Sequence, residues 1–94
     1  MIESRIESRV CKALWAKGAI AHKLTGQVGD PDRIVVWLDS QGLARVFYLE
    51  LKTKTGRLSK AQVFRHKQLL ANTYIVRSVE ESLIALENEK NANA

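Results

Sequence analysis

The spacing of apolar residues in the first half of the chain predicts one helix followed by three strands. Four apolar side chains recur at every fourth position, which is typical of an amphipathic helix ending near Gly18: Ile2, Ile6, Val10 and Leu14. Runs rich in β-branched and aromatic residues then predict strands over residues 19–24, 33–38 and 44–52. Residues 39–42 predict a turn, so the last two strands should form a hairpin.

The second half of the chain predicts a helix, a strand and a further helix. Residues 59–62 (Ser-Lys-Ala-Gln) and 78–81 (Ser-Val-Glu-Glu) both have the form of a capping box, which begins a helix. We expect the first of these helices to run to about Ala71 and the second to about Leu86, with a strand over residues 74–77 between them. Residues 87–94 are expected to form a flexible C-terminal tail after a single domain of residues 1–86.

The element order α-β-β-β-α-β-α predicts an α/β fold in which helices flank a mixed central β-sheet. Both faces of the hairpin are apolar. One face carries Ile34, Val36, Leu38, Val46 and Tyr48, and the other carries Val35, Trp37, Phe47, Leu49 and Leu51. A hairpin with two apolar faces is expected to lie at the centre of the sheet and to be covered on both sides.

Composition and charge narrow the class of protein. The 94 residues, 46% hydrophobic and 27% charged, are enough for one globular domain with a modest core. The formal net charge is +5, and it is unevenly placed: seven basic residues and no acidic residue lie between Leu51 and Val79, whereas the rest of the chain has eight basic and ten acidic residues. Such a segment is suited to binding a polyanion, because phosphate contacts release counterions. A solvated basic helix face is the alternative.

Several other classes of protein are disfavoured. Cys11 is the single cysteine, which excludes an intramolecular disulfide and fits a reducing compartment. The longest apolar run has five residues, and the N-terminus lacks the apolar stretch of a signal peptide, so a cytoplasmic protein is expected. A zinc site is disfavoured because Cys11, His22 and His66 are too few and too scattered. His66 is expected to face phosphate or solvent on the basic helix.

Two charged residues end a strand that is otherwise apolar. Glu50 and Lys52 share one face of that strand, because side chains alternate with a period of two. A hairpin turn near residue 41 pairs residues whose numbers sum to about 82, which places Asp32 opposite Glu50. Two facing carboxylates repel by about 4 kcal/mol at an effective dielectric of about 20. A bridging Mg²⁺ or Mn²⁺ would relieve this repulsion, since both ions prefer oxygen ligands. The alternative is a salt bridge between Glu50 and Lys52 at the edge of the sheet.

The first helix offers a further acidic ligand. Glu7 lies beside the apolar stripe of that helix, and Glu3 lies one turn before it. We favour Glu7, which is nearer the middle of the helix; a solvent-facing acid is the alternative, above all for Glu3.

Three segments together resemble a known family: Gly29 to Val36, Tyr48 to Lys52, and Gly56 to Gln62. They are similar to the virus-type replication-repair nuclease family, VRR-NUC, of the PD-(D/E)xK superfamily. The resemblance covers residues 3–86 and implies a restriction-endonuclease-like core. An ExK sequence alone is a weak pattern, but its combination with the Gly-x-Pro-Asp turn and the Gly-Arg-Leu-Ser-x-x-Gln segment is specific.

The resemblance implies roles for particular residues. The metal ligands would be Glu7, Asp32, Glu50 and the backbone carbonyl of Leu51, with Mg²⁺ or Mn²⁺ as the cofactor. The catalytic residues would be Asp32, Glu50, Lys52 and Gln62, although its place in the capping box also explains Gln62. The residues expected to contact DNA phosphates are Lys54, Arg57, Lys60, Arg65 and Lys67.

The implied activity is hydrolysis of DNA phosphodiester bonds. Free-standing members this short resemble homodimeric phage-type enzymes that cut four-way (Holliday) junctions, in a bacterial or phage-infected cell, and a twofold axis suits paired incisions. The alternatives are a flap or nicking endonuclease that acts as a monomer, and a non-catalytic DNA-binding module with the same fold. A non-catalytic module is expected to lack one of the acidic residues or the lysine of the motif, and this chain has Asp32, Glu50 and Lys52.

Overall fold

A computed structural model of the protein describes residues 2–25 and 28–92. The predicted element order is confirmed. The elements are α1 (Ile2–Ala16), β1 (Ile20–Lys23), β2 (Arg33–Leu38), β3 (Ala44–Leu51), α2 (Lys60–Lys67), β4 (Thr73–Val76) and α3 (Val79–Ala92).

The strands form one mixed sheet in the order β1-β2-β3-β4. β1, β2 and β3 are antiparallel to their neighbours, and β4 pairs in parallel with β3 after the α2 crossover. The hairpin of β2 and β3 is therefore central, as predicted. Its register pairs Arg33 with Leu49 and Ile34 with Tyr48, which is the predicted register. The next pair in this series is Asp32 and Glu50.

The core lies on one face of the sheet, beneath α1 and α3. Val35, Phe47 and Leu49 point to this face and pack against Val10 and Leu14 of α1. α3 closes the same layer with Ala85 and Leu86, because both helices contact each other and the sheet. Trp37 and Phe47 are buried, whereas Trp15 of α1 is 67% exposed.

The opposite face of the sheet differs from its prediction. Leu38 is 66% exposed, and Val46 and Ile75 are also exposed, so the described residues do not cover this face along its length. α2 lies on this side, beside Glu50 at the end of β3. The prediction of a hairpin covered on both sides is therefore wrong. α2 has no buried residue, and one eight-residue helix cannot cover four strands.

The predicted tail is also wrong over residues 87–92, which continue α3. Glu89 is buried, and its Oε2 accepts hydrogen bonds from Asn72 Nδ2 at 2.8 Å and from Tyr74 Oη at 2.6 Å. Burial and this hydrogen bond to Glu89 raise the pKa of Tyr74 to about 12, so the phenol remains a donor at neutral pH. These contacts fix the last turns of α3 against β4. Residues 93 and 94 lie outside the described residues.

α2 begins where the sequence predicts, but it ends earlier than predicted. Ser59 caps the helix in a complete capping box with Gln62, as predicted. The helix ends at Lys67 rather than near Ala71, because Gln68 and Leu69 bond to carbonyls three residues back and close the last turn. None of the helices in residues 2–25 and 28–92 combines the length and apolarity needed to cross a bilayer.

Candidate functional site

Glu50 is the centre of the candidate site. It lies in β3 between Leu49 and Leu51, which point into the core, so its own side chain points to the opposite face. Its exposure is only 1%. Lys52 follows on the same face, with Nζ 3.8 Å from Glu50 Oε2. A buried acid beside a lysine, at the end of a central strand, is costly unless it is neutralised by polar contacts or by a cation.

Asp32 directly precedes β2 and lies next to the end of β3 that carries Glu50. Its Oδ2 accepts a hydrogen bond from Leu51 N at 2.7 Å. Consecutive amides of a strand point to opposite neighbours, and Lys52 N bonds to β4 through Val76 O, so Leu51 N points to β2. The Leu51 carbonyl points to the same side as its own amide, towards Asp32. The structure thus places Asp32, Glu50 and the Leu51 carbonyl around one end of the hairpin.

A divalent cation held at this end of the hairpin would have few protein ligands. Among the described side chains, no three of the Asp, Glu, His and Cys types gather closely enough to hold a metal ion. Mg²⁺ does not require such a cage, since it is commonly bound by one or two carboxylates and keeps several waters or substrate oxygens. A carboxylate that accepts one hydrogen bond still has further lone pairs to offer, as at Asp32.

Gln62 connects α2 to Glu50 and caps its own helix at the same time. Its Oε1 accepts from Ser59 N at 2.8 Å, and its Nε2 donates to Glu50 Oε2 at 3.1 Å. The two roles considered from sequence are therefore compatible, because one end of the amide serves the cap and the other end serves the carboxylate. The cap fixes the direction in which the amide donates.

His66 lies in the site, contrary to its prediction. Its buried Nε2 lies 3.4 Å from Glu50 Oε1, and its side chain is only 11% exposed. Burial is the largest cause of a lowered pKa of His66; Asp32 opposes that shift and Lys52 adds to it. The imidazole is thus neutral at neutral pH. Its four-residue spacing from Gln62 is the signal that could have placed it here, since such residues share a helix face.

Glu7 is not brought to this cluster. Its Oε2 accepts from Arg33 Nε at 2.7 Å, and Arg33 Nη1 donates to Ala21 O at 3.1 Å. Arg33 alternates with Val35 and Trp37 along β2, so its side chain points to the face that carries α1. The side chain of Glu3, the alternative ligand, lies outside the described residues.

Gly29 allows α2 to pass close to the loop that carries Asp32. Its φ of +91° is in the left-handed region, and a Cβ built on it would lie 2.5 Å from Ala61 O and 2.8 Å from Ala61 C. Arg65 also holds α2 against this loop, because its Nε donates to Asp30 Oδ1 at 2.6 Å. The Gly-Asp-Pro-Asp segment is therefore a surface against which α2 docks.

We expect Gly29→Ala to cost more stability than Gly42→Ala, which is a matched control with φ +80° and open space around its Cβ. Both variants carry the strain of a left-handed alanine, roughly 1–2 kcal/mol. Gly29→Ala adds a collision with backbone atoms, worth about 1–3 kcal/mol more by analogy with overpacking. Urea unfolding of both variants measures the difference, and equal losses would contradict the close approach.

The predicted DNA contacts divide into two groups. Lys54, Arg57, Lys60 and Lys67 are exposed on the loop after β3 and on α2. Arg65 is half-buried and bound to Asp30 and Gln68, so the structure gives it a role in holding α2.

The order and pairing of these elements define the restriction-endonuclease-like class of fold. A solved structure described as a VRR_NUC domain matches this chain with a TM-score of 0.73. The match covers 90% of this chain and 94% of that one, at 23% sequence identity. Neither a protein-family model nor a curated protein matches the sequence. The fold implied by the motif resemblance is thus confirmed: the chain has the fold of a VRR_NUC domain.

Proposed function

We propose that this protein is a nuclease that hydrolyses DNA phosphodiester bonds with the help of Mg²⁺ or Mn²⁺. The observation that carries the proposal is the register of the central hairpin. It sets Asp32 and Glu50 side by side at one end of the sheet, with Lys52 on the same face as Glu50. The match to a solved VRR_NUC domain supports this proposal, because it has the fold that the motif resemblance implies.

Asp32, Glu50 and the Leu51 carbonyl would hold the cation, which would supply Lewis-acid polarisation of a phosphate oxygen. Glu7 is left out of this set, because its carboxylate is bound to Arg33 on the opposite face of the sheet. Gln62 orients the Glu50 carboxylate through its hydrogen bond to Oε2. Lys52 places a positive charge beside the cluster, where it would stabilise the negative charge that develops on the phosphate or hold the attacking water.

The exposed cations would bind the DNA backbone on either side of the reacting phosphate. Lys54 and Arg57 follow Lys52 in the chain, and Lys60 and Lys67 lie on α2. Phosphate contacts of this kind give affinity without reading sequence.

For the substrate, we propose a four-way junction cut by a homodimer. The exposed apolar side chains Leu38, Val46 and Ile75 all lie on the open face, and an extended apolar patch of this kind supports association with a second copy. A twofold axis would then relate two sites for paired incisions. The alternative is a monomeric flap or nicking endonuclease. Size-exclusion chromatography with light scattering, followed by cleavage of junction and flap substrates, separates the two.

The proposed activity predicts metal-dependent cleavage. Incubation with Mg²⁺ or Mn²⁺ should cut plasmid and branched DNA, and EDTA should abolish cleavage. Branched substrates should be cut faster than linear duplex at equal enzyme concentration. DNA binding without cleavage under every metal condition would instead establish a non-catalytic binding module.

A further inference from the structure

Arg77 is one of the seven basic residues between Leu51 and Val79, but its guanidinium is turned inward. Nη1 donates to Thr53 O at 2.5 Å and to Gly56 O at 2.7 Å. Arg77 directly follows β4, and its backbone N donates to Glu81 Oε1 in the first turn of α3 at 2.5 Å. The arginine therefore fastens the loop after β3 to the junction of β4 and α3.

This loop, residues 53–59, makes few other hydrogen bonds among the described residues. It contains one turn, closed by a hydrogen bond from Gly56 N to Thr53 O at 3.1 Å, and it leads into a helix without a buried residue. The apolar core therefore does not hold the loop and α2 in place. Polar contacts hold them instead: Gln62 to Glu50, Arg65 to Asp30, and Arg77 to the two loop carbonyls.

The same loop carries groups that the proposed activity needs. Lys54 and Arg57 are exposed on it, and it joins Lys52 to the helix that presents Gln62. A loop that is already ordered in the free protein binds DNA more tightly than a flexible loop. The free-energy cost of ordering its backbone and long side chains is then not incurred on binding.

We propose that Arg77 is a positioning residue, which holds the loop of Thr53 to Arg57 in the conformation that presents Lys54 and Arg57 to the DNA backbone. Its two hydrogen bonds direct its charge to carbonyl oxygens inside the protein. Arg77 thus contributes through loop order and makes no phosphate contact of its own. The DNA part of this inference rests on the proposed function, whereas the anchoring of the loop does not.

Two readouts test the proposal in Arg77→Met, which keeps most of the unbranched stem of the side chain and removes the donors. Amide hydrogen exchange at Gly56 should accelerate, since the loop turn loses its anchor. Affinity for a four-way junction in EDTA should fall about tenfold, as expected when two long side chains must be ordered on binding. The slope of log K against log salt should not change, because no phosphate contact is lost.

Lys54→Met is the matched control, an exposed cation of the same loop. It should leave Gly56 exchange unchanged and reduce the salt slope by about 0.9. Should Arg77→Met fail to fold, Arg77→Gln replaces it: this variant lacks the charge but keeps a donor, so partial protection of Gly56 and an unchanged slope are expected.

Two results would overturn the proposal: unchanged Gly56 exchange, or a salt slope that falls by about one unit as for a lost phosphate contact. If the wild-type protein bound no DNA, the proposed function would fail. The exchange experiment would still decide whether Arg77 anchors the loop.

Discussion

Replacing Glu50 with glutamine is expected to lower metal-dependent cleavage by more than about 100-fold, since even groups that only support metal ligands cost about 10–100-fold. Glutamine has nearly the same shape, and its Oε1 can accept the hydrogen bond that Gln62 Nε2 donates. The packing around this buried side chain is therefore retained, while the negative charge that a cation requires is lost. Asp32→Asn should behave in the same way, because its amide oxygen can accept from Leu51 N.

Calorimetric titration with Mn²⁺ separates this cause from a general loss of structure. Both variants should lose most of the heat of Mn²⁺ binding, keep the far-ultraviolet circular dichroism of the wild type, and keep their affinity for DNA in EDTA. Glu80→Gln, an exposed acid in the first turn of α3, is the matched control and should change none of these properties. Full cleavage by both Glu50→Gln and Asp32→Asn would refute the site.

Local signals in the sequence predicted the elements that position this site. The register of β2 and β3 follows from a short turn, in which Asp39 Oδ1 accepts from Gln41 N and Leu43 N and Gly42 takes a positive φ. The cap at Ser59 likewise depends on residues three positions apart. Interactions of this kind are confined to a few neighbouring residues, and so they can be predicted from one sequence.

The parts that failed depend on distant residues. Glu89 is polar and looks like a tail residue, but α3 is extended by its contacts with Asn72 and Tyr74. Glu7 was assigned to the site because of its position on α1. Its carboxylate instead binds Arg33, whose side chain lies on the face of the sheet opposite to Glu50. Both outcomes are decided by tertiary partners, which overrule the local composition.

The basic segment shows the same limit for charge. The seven basic residues between Leu51 and Val79 suggested one polyanion-binding surface. Arg65 and Arg77 instead hold α2 and its preceding loop through Asp30 and two carbonyls. Arginine suits this structural role, because its planar fork of donors can bond to several acceptors at once. The lysines of the segment, each a compact and hydrated charge, remain exposed, with the exception of Lys52.

Lys52→Met is expected to reduce turnover by about 10²–10³-fold, the usual cost of removing a group that stabilises transition-state charge. Lys52 is only 16% exposed, and its Nζ lies 3.8 Å from Glu50 Oε2. At this distance, its charge acts on the cluster without a tight hydrogen bond to the carboxylate. Methionine keeps most of the aliphatic stem, so the fold should persist and the ammonium group is the part that is lost.

The affinity for Mn²⁺ distinguishes this role from that of a structural partner of Glu50. A nearby positive charge repels a divalent cation, so Lys52→Met should bind Mn²⁺ as tightly as the wild type or more tightly, while single-turnover cleavage becomes slow. Lys12→Met, an exposed lysine of α1, serves as the control for loss of one positive charge. If metal affinity collapses together with turnover, Lys52 acts by maintaining the carboxylate geometry, and the role assigned to it in the reaction is wrong.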